Sequence, residues 1–479
     1  MVTTPFYVAG RPVTGTEQRD VHSPYDGTLI GTYAVPGEAD IEAAIAAAVA
    51  ALPTTRTLSA ATRAAALDHV SARLAERAEE IATLISGENG KPIMWAKAEV
   101  GRAVSTFRWA AEEARRFSGE LQRLDTDPTA TGRLALVRRF AAGPVLGISP
   151  FNFPLNLVAH KVAPAIAAGA PIVLKPAPKT PLSALVLGEI LAETDLPAGS
   201  WSVVPADDEH APGMVADPRL PVISFTGSEG VGYAIQRAVP AKRVVLELGG
   251  NAAAVVMADY SSEADMDWAA ARIATFGNYQ AGQSCISVQR VYVHSSIVEE
   301  FTAVLAAKVA TLATGDPADP QTVVGPMINE AAAARVESWI AEAVEGGATV
   351  LTGGSRSGTT VAPTLLADVP ADAKCLTEEV FGPVMSVAAF DTVDEVFGAV
   401  NNSRFGLQAG VFTHDVQLAF RAQSELEVGG VIVGDVPSYR ADQMPYGGVK
   451  NSGVGREGLR HAMDDYTDVR VMVLTGLEL

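Results

Sequence analysis

Six short stretches of this 479-residue chain hold side chains whose types and spacing can do chemistry. GNYQAGQSCISVQR, residues 277–290, holds Cys285, one of only two cysteines. It is a glycine-rich turn before a strand-patterned run, and a thiolate placed there is a ready nucleophile. VVLELGGN (244–251) sets Glu247 in an apolar strand. A carboxylate in such company needs a partner or a raised pKa, which suits a general base. Alternation equally permits a solvent-facing side chain. SPFNFPLN (149–156) puts Asn152 between aromatics and prolines, in a shaped loop at a strand end or a plain turn. VLKPAPKTP (173–181) brings Lys175 to the end of an apolar strand. FTGSEGVG (225–232) sets Gly227, Gly230 and Gly232 at a strand-to-helix junction, whose free N–H groups can hold a diphosphate. TEEVFGPV (377–384) carries Glu378, Glu379 and Phe381 before a Gly-Pro turn. Taken singly, each has an ordinary structural reading as well.

These stretches need elements to position them. Strand patterns at 133–140, 171–176, 222–226, 287–294, 408–413 and 429–436 alternate with helical patterns at 180–194, 296–313 and 415–427. Such alternation predicts an α/β fold with parallel sheets covered by helices, and ligands at the strands' C-terminal ends. Residues 41–52 predict a helix capped by Asp40, with Ile41, Ile45 and Val49 on one face. The tail DDYTDVRVMVLTGLEL predicts an apolar edge strand, which needs a cover.

Composition bounds the rest. Hydrophobic residues make up 48% and charged residues 19%, a globular balance. A net charge of −19 disfavours nucleic acid and anionic membranes as partners. Two cysteines give no disulfide framework, so a reducing, cytoplasmic setting is expected. No basic start precedes an apolar run, so no signal peptide is expected. The seven histidines form no ligand-spaced pair with the cysteines, so no metal is expected.

The six motifs, in this order and separation, resemble the aldehyde dehydrogenase superfamily, and the resemblance runs on to MPYGGVKNSGVGREG (444–458). It implies two Rossmann-type parallel-sheet domains with a small β extension for oligomerisation. The nucleotide-binding domain would be 1–118 plus 138–252, the catalytic domain 253–434, and the extension 119–137 plus 464–479, in a homodimer or homotetramer. It implies Cys285 as nucleophile, Asn152 as oxyanion donor and Glu247 as activator of the hydrolytic water. The cofactor, NAD or NADP, would lie along Ser149, Pro150, Phe151, Lys175, Pro178, Gly227, Ser228, Gly232, Leu248, Glu379 and Phe381.

Two departures stand out. The Glu247-to-Cys285 separation is longer than usual, with the extra residues expected in a surface loop at 259–268. Pro178 replaces an acidic residue that grips the adenosine ribose in many NAD-using relatives, so NADP should be tolerated. The stretches around Arg108 and Arg440 resemble the branch acting on succinate semialdehyde, lactaldehyde-type and phosphonate aldehydes. Two arginines at one tunnel mouth would match an anionic tail bidentately, although both could be surface residues paired with acids. Arg290 is expected to be structural. An enzyme passing its thioester to coenzyme A, or a non-catalytic protein of the same fold, are the alternatives. Such acylating relatives usually lack the glutamate at 247, and a non-catalytic relative should have lost Cys285, Glu247 or Asn152.

Overall fold

The computed structural model describes residues 3–478; Met1, Val2 and Leu479, at the ends of the two terminal stretches read above, lie outside them. Two sheets dominate. The first has eight strands in the order Arg11–Val13, Phe6–Val8, Trp201–Val203, Ile172–Lys175, Val145–Ile148, Val222–Thr226, Arg243–Glu247 and Gly453–Val454. Its five central strands are parallel. They are short apolar runs, buried on both faces, as parallel strands under helices must be. The second sheet has seven strands, from Thr349–Thr352 at one edge through Arg290–His294 and Ala253–Val256 to Gly430–Val433 at the other. All its pairs are parallel except the first. This is a mixed α/β fold of the predicted class. A third sheet pairs Glu120–Arg123, Leu134–Ala141 and Thr467–Leu474 antiparallel.

Local differences have physical causes. The first long helix, Glu38–Thr57, starts at Gly37, and Asp40 is its third residue, accepting from the Gly37 N–H at 2.9 Å. Ala44 and Ala48 therefore share the buried face with Ile41 and Ile45, and Val49 is exposed. Within 259–268, Ser262 caps helix Glu263–Asn278 by accepting from Asp265 N, so most of that stretch is helix rather than surface loop. Residues 287–289 form turn and inter-strand bonds, and the strand begins at Arg290.

Helix Asn156–Ala168 is buried along its whole length, under the first sheet and against helix Ile93–Arg116. It carries Asn156, His160 and Lys161. Buried polar groups need partners, so these three define where a polar site must be. Among the described residues no single helix is long and apolar enough to cross a membrane.

Candidate active site

Helix Glu263–Asn278 breaks into a turn at Tyr279–Gly282 in which Gln280, Ala281 and Gly282 all have left-handed φ, 52°, 53° and 66°. Gly282 is required there, because a Cβ would lie 2.0 Å from the Gly382 carbonyl oxygen. The turn is tied to the loop after strand Val145–Ile148. The Gln280 side-chain amide donates to the Asn152 carbonyl, and Asn152 Nδ2 donates to the Gln283 carbonyl at 3.0 Å. These ties hold the Cys285 segment against the Asn152 loop. The Cys285 N–H donates to no protein group among the described residues. Burial pushes the Cys285 thiol up to about 12, against a bond to Tyr446 that lowers it. The Tyr446 hydroxyl lies 2.9 Å from Sγ.

Glu247 ends strand Arg243–Glu247, between Val222–Thr226 and the returning Gly453–Val454. It is not solvent-facing. Only 3% of it is exposed, and neither carboxyl oxygen has a hydrogen-bond partner. Burial, reinforced by the charge of Glu457, raises its pKa well above the usual carboxylate range. With no partner on either oxygen, burial favours its neutral form.

A buried ionic chain adjoins it. Lys161 donates to Thr226 Oγ1 at 2.7 Å and lies 3.5 Å from Glu457. Arg440 donates to Glu457 at 3.0 Å, stacks 3.8 Å over the Tyr446 ring and has its Nη2 3.2 Å from His160 Nε2. His160 meets Asp442 at 3.2 Å, and Asp442 accepts from Arg102 at 3.0 Å. Burial and the neighbouring Arg440 depress the His160 pKa, so its ring is neutral. Although burial opposes it, the bond from His160 and the charges of Arg102 and Arg440 hold Asp442 well below the carboxylate range. Arg440 is thus inside the site. Arg108 is not joined to it: it is exposed and lies against its own neighbour Trp109, 5.7 Å from the ring. Six residues of helix are about 240° of rotation, so Arg102 and Arg108 cannot share a face. Arg102 is the arginine on that helix that the structure links to Arg440.

On the other side of the cavity, strand Val222–Thr226 passes through Gly227 and Ser228 into helix Glu229–Ala238. A Cβ at Gly227 would lie 2.5 Å from the Phe225 ring, and one at Gly232 2.5 Å from Leu248. The Gly227 and Gly232 N–H groups already donate to the Glu247 and Ser228 carbonyls, so the backbone N–H groups that remain for a diphosphate are those of the first turn of helix Glu229–Ala238. Ser149 Oγ, beside Pro150, is buried without a partner, and Phe151 meets Phe381 edge-on at 6.0 Å. Glu379 accepts from Gly250 N at 3.1 Å, and burial lifts its carboxyl to about 7. Glu378 is instead ion-paired with Arg404. Lys175 ends its strand and donates to Asp208 at 2.7 Å, a carboxylate 87% exposed. Pro178 offers only its carbonyl, which accepts from Tyr33. Arg290 donates to the carbonyls of Asn251, Ala399 and Val400, a structural tie. Cys375 is buried against the Trp339 carbonyl, with its thiol pushed up to about 11.

Sequence reasoning missed Tyr446, Glu457, His160, Lys161, Asp442, Arg102 and Asp208. One signal was present: NLVAHKVAPAIAAG places His160 and Lys161 in an otherwise apolar helix.

The family pattern described as "Aldehyde dehydrogenase family" matches residues 12–472, and the chain belongs to that family. It is 42% identical to the 3-sulfolactaldehyde dehydrogenase of Priestia megaterium, over 98% of this chain and 97% of that one. It is 38% identical to the NADP(+) succinate-semialdehyde dehydrogenase of Escherichia coli, over 96% and 94%. Its fold superposes on the crystal structure of aldehyde dehydrogenase 21 from Physcomitrella patens, in complex with the reaction product succinate. The TM-score is 0.97, with 44% identity and 99% of both chains covered. The protein is an aldehyde dehydrogenase, and it oxidises aldehydes with NAD(P).

Proposed function

We propose that this enzyme converts a small aldehyde with an anionic tail to the carboxylate through a covalent bond to Cys285. The observation that carries the reaction class is that Cys285, with its unbonded N–H, lies beside the Asn152 amide and within electrostatic reach of the unpartnered Glu247 carboxyl. Cys285 Sγ loses its proton and attacks the carbonyl carbon, forming a thiohemiacetal. The Asn152 amide turns from the Gln283 carbonyl and, with the Cys285 N–H, holds the oxyanion. NAD(P) supplies the hydride acceptor that makes this adduct a thioester. Glu247, once ionised, takes a proton from water, whose oxygen attacks the thioester carbon and releases the acid and the thiol. That carboxyl favours hydrolysis over transfer to coenzyme A. Gly227, Ser228 and Gly232 would hold the diphosphate, Lys175 the adenosine ribose and Glu379 the nicotinamide ribose. Ser149, Pro150, Phe151, Pro178, Leu248 and Phe381 would complete that surface.

Arg440 supports the anionic tail. Its Nη2 is bonded to Glu457, while Nε is buried with no partner among the described residues. The relatives named for sulfonate- and carboxylate-bearing aldehydes agree with that chemistry. The test compares kcat/KM for an anionic semialdehyde and a neutral aldehyde of equal length. The anion should be preferred, and Arg440→Ala should remove roughly ten-fold or more of that preference, as a charge-assisted bond is worth. A better neutral substrate, or an Arg440→Ala enzyme that keeps the anion's advantage, would sink this reading.

The first sheet would serve the cofactor, the second catalysis and the third assembly into a homodimer or homotetramer. Val469, Val471 and Met472 are each more than half exposed on the last strand, and a second copy would cover them. Two unpaired cysteines suit the cytoplasm.

A further inference from the structure

Tyr446 lies in the late motif MPYGGVKNSGVGREG, and none of the roles above uses it. It is 4% exposed and fixed on three sides. Its backbone exchanges hydrogen bonds with Glu457, its ring lies under the Arg440 guanidinium at 3.8 Å, and its hydroxyl meets Cys285 Sγ at 2.9 Å. A tyrosine used only for packing would not need its oxygen pointed at the sulfur. Phenylalanine would fill the same space beside Ile286 and Leu407.

We propose that Tyr446 is a catalytic residue whose hydroxyl donates to Cys285 Sγ and stabilises the thiolate before it attacks the aldehyde. The proposal rests on Cys285 being the nucleophile. The thiol proton passes to solvent water, and the Tyr446 O–H then has an anionic acceptor, for which a hydrogen bond is stronger than for the neutral thiol. The Arg440 cation over the ring makes the hydroxyl a better donor and disfavours nothing in the thiolate state. As the carbon–sulfur bond forms, the charge moves to the substrate oxygen and the Tyr446 bond weakens. It therefore raises the amount of thiolate while lowering the intrinsic reactivity of each thiolate. Burial pushes the Cys285 thiol up, and the Tyr446 bond opposes that shift.

The test is the pH dependence of Cys285 alkylation by iodoacetamide, followed by peptide mass spectrometry so that Cys375 is counted separately. Tyr446→Phe keeps the ring under Arg440 and removes one oxygen. Losing a hydrogen bond to a charged sulfur should move the labelling curve up by about one pH unit, a ten-fold loss of thiolate. Because the freed thiolate is more nucleophilic, labelling at neutral pH should slow only about three-fold. The pre-steady-state burst of reduced cofactor should slow similarly. A purely structural role would not displace the curve. Ultraviolet titration of the thiolate reads the same shift without turnover, so a variant of low activity still answers. A Tyr446→Phe curve superposable on the wild-type one overturns the proposal. Persisting aldehyde oxidation in Cys285→Ala would instead overturn the nucleophile reading on which it rests.

Discussion

The two sides of the cavity are built by different means. On the cofactor side, the surface is built on glycines: at Gly227, Gly232 and Gly249 the backbone packs directly against Phe225, Leu248 and Glu379, with no room for a Cβ. On the aldehyde side, Arg102, His160, Lys161, Arg440, Asp442 and Glu457 interlock as buried ions and hydrogen-bonding groups drawn from four separate segments. A cradle of backbone accepts any ligand with the right diphosphate shape. A cluster of charges is set to one balance, and a change in a single member alters the rest. On the proposed reading, the first side would give generality and the second selectivity.

The sharpest way to break this comparison is at the carboxyl between the two sides. Glu247→Gln should lower steady-state turnover by roughly 10²–10⁴-fold, the usual worth of a general base. The burst of reduced cofactor should survive. The wild-type enzyme should also deacylate faster as pH rises, because a carboxyl whose pKa is raised gains its base form at higher pH than an ordinary one. Glutamine at 247 should flatten that rise. Stopped-flow traces across pH check both; equal loss of burst and turnover would place Glu247 at the thiol step.

A smaller effect is expected at the cradle. In Gly249→Ala the new methyl would lie 2.2 Å from Glu379 Oε2 and push that carboxylate aside. Cofactor affinity, read by fluorescence titration, should weaken about ten-fold, equivalent to one lost charged hydrogen bond. The KM for aldehyde should hardly change. An equal loss for both ligands would mean that the two sides are not separable.

The smallest effect sharpens the cofactor side. Pro178 removes one carboxylate from the adenosine ribose region, but Asp208 restores another through its pair with Lys175. Asp208→Asn should shift the ratio of NADP to NAD dissociation constants by about three-fold towards NADP, no more, because the group is exposed and screened. An unchanged ratio would show that Asp208 does not face the ribose.

Legibility from sequence follows the same divide. The parallel strands around Ile172–Lys175 and Val222–Thr226 could be read because their apolar runs end in glycine or proline, which is local information. Cys285, Glu247, Asn152 and Lys175 share that property: each sits beside a turn that announces itself. Arg440 and Arg108 did not. An arginine's partner is a matter of which residues the fold brings near, and Glu457, His160 and Asp442 come from distant segments. Helix phase decided Arg108, since one face of Ile93–Arg116 packs on Asn156–Ala168 and the other meets solvent. Asp40 failed for a related reason: either a cap or a third-position acid fits the same composition, and only the path of Gly37 tells them apart.

The left-handed turn at Gln280–Gly282 has a thermal consequence. Each non-glycine residue held in that conformation costs about 1–2 kcal/mol, and Gln280 and Ala281 stand there in succession. What opposes the cost is a handful of tethers, chiefly the Gln280 amide on the Asn152 carbonyl and the Asn152 amide on the Gln283 carbonyl. The sheets on either side have no such debt. On warming, the sulfur-bearing segment should therefore relax to ordinary backbone before the scaffold unfolds. Activity should then be lost, reversibly on cooling, at a lower temperature than the far-ultraviolet circular dichroism signal.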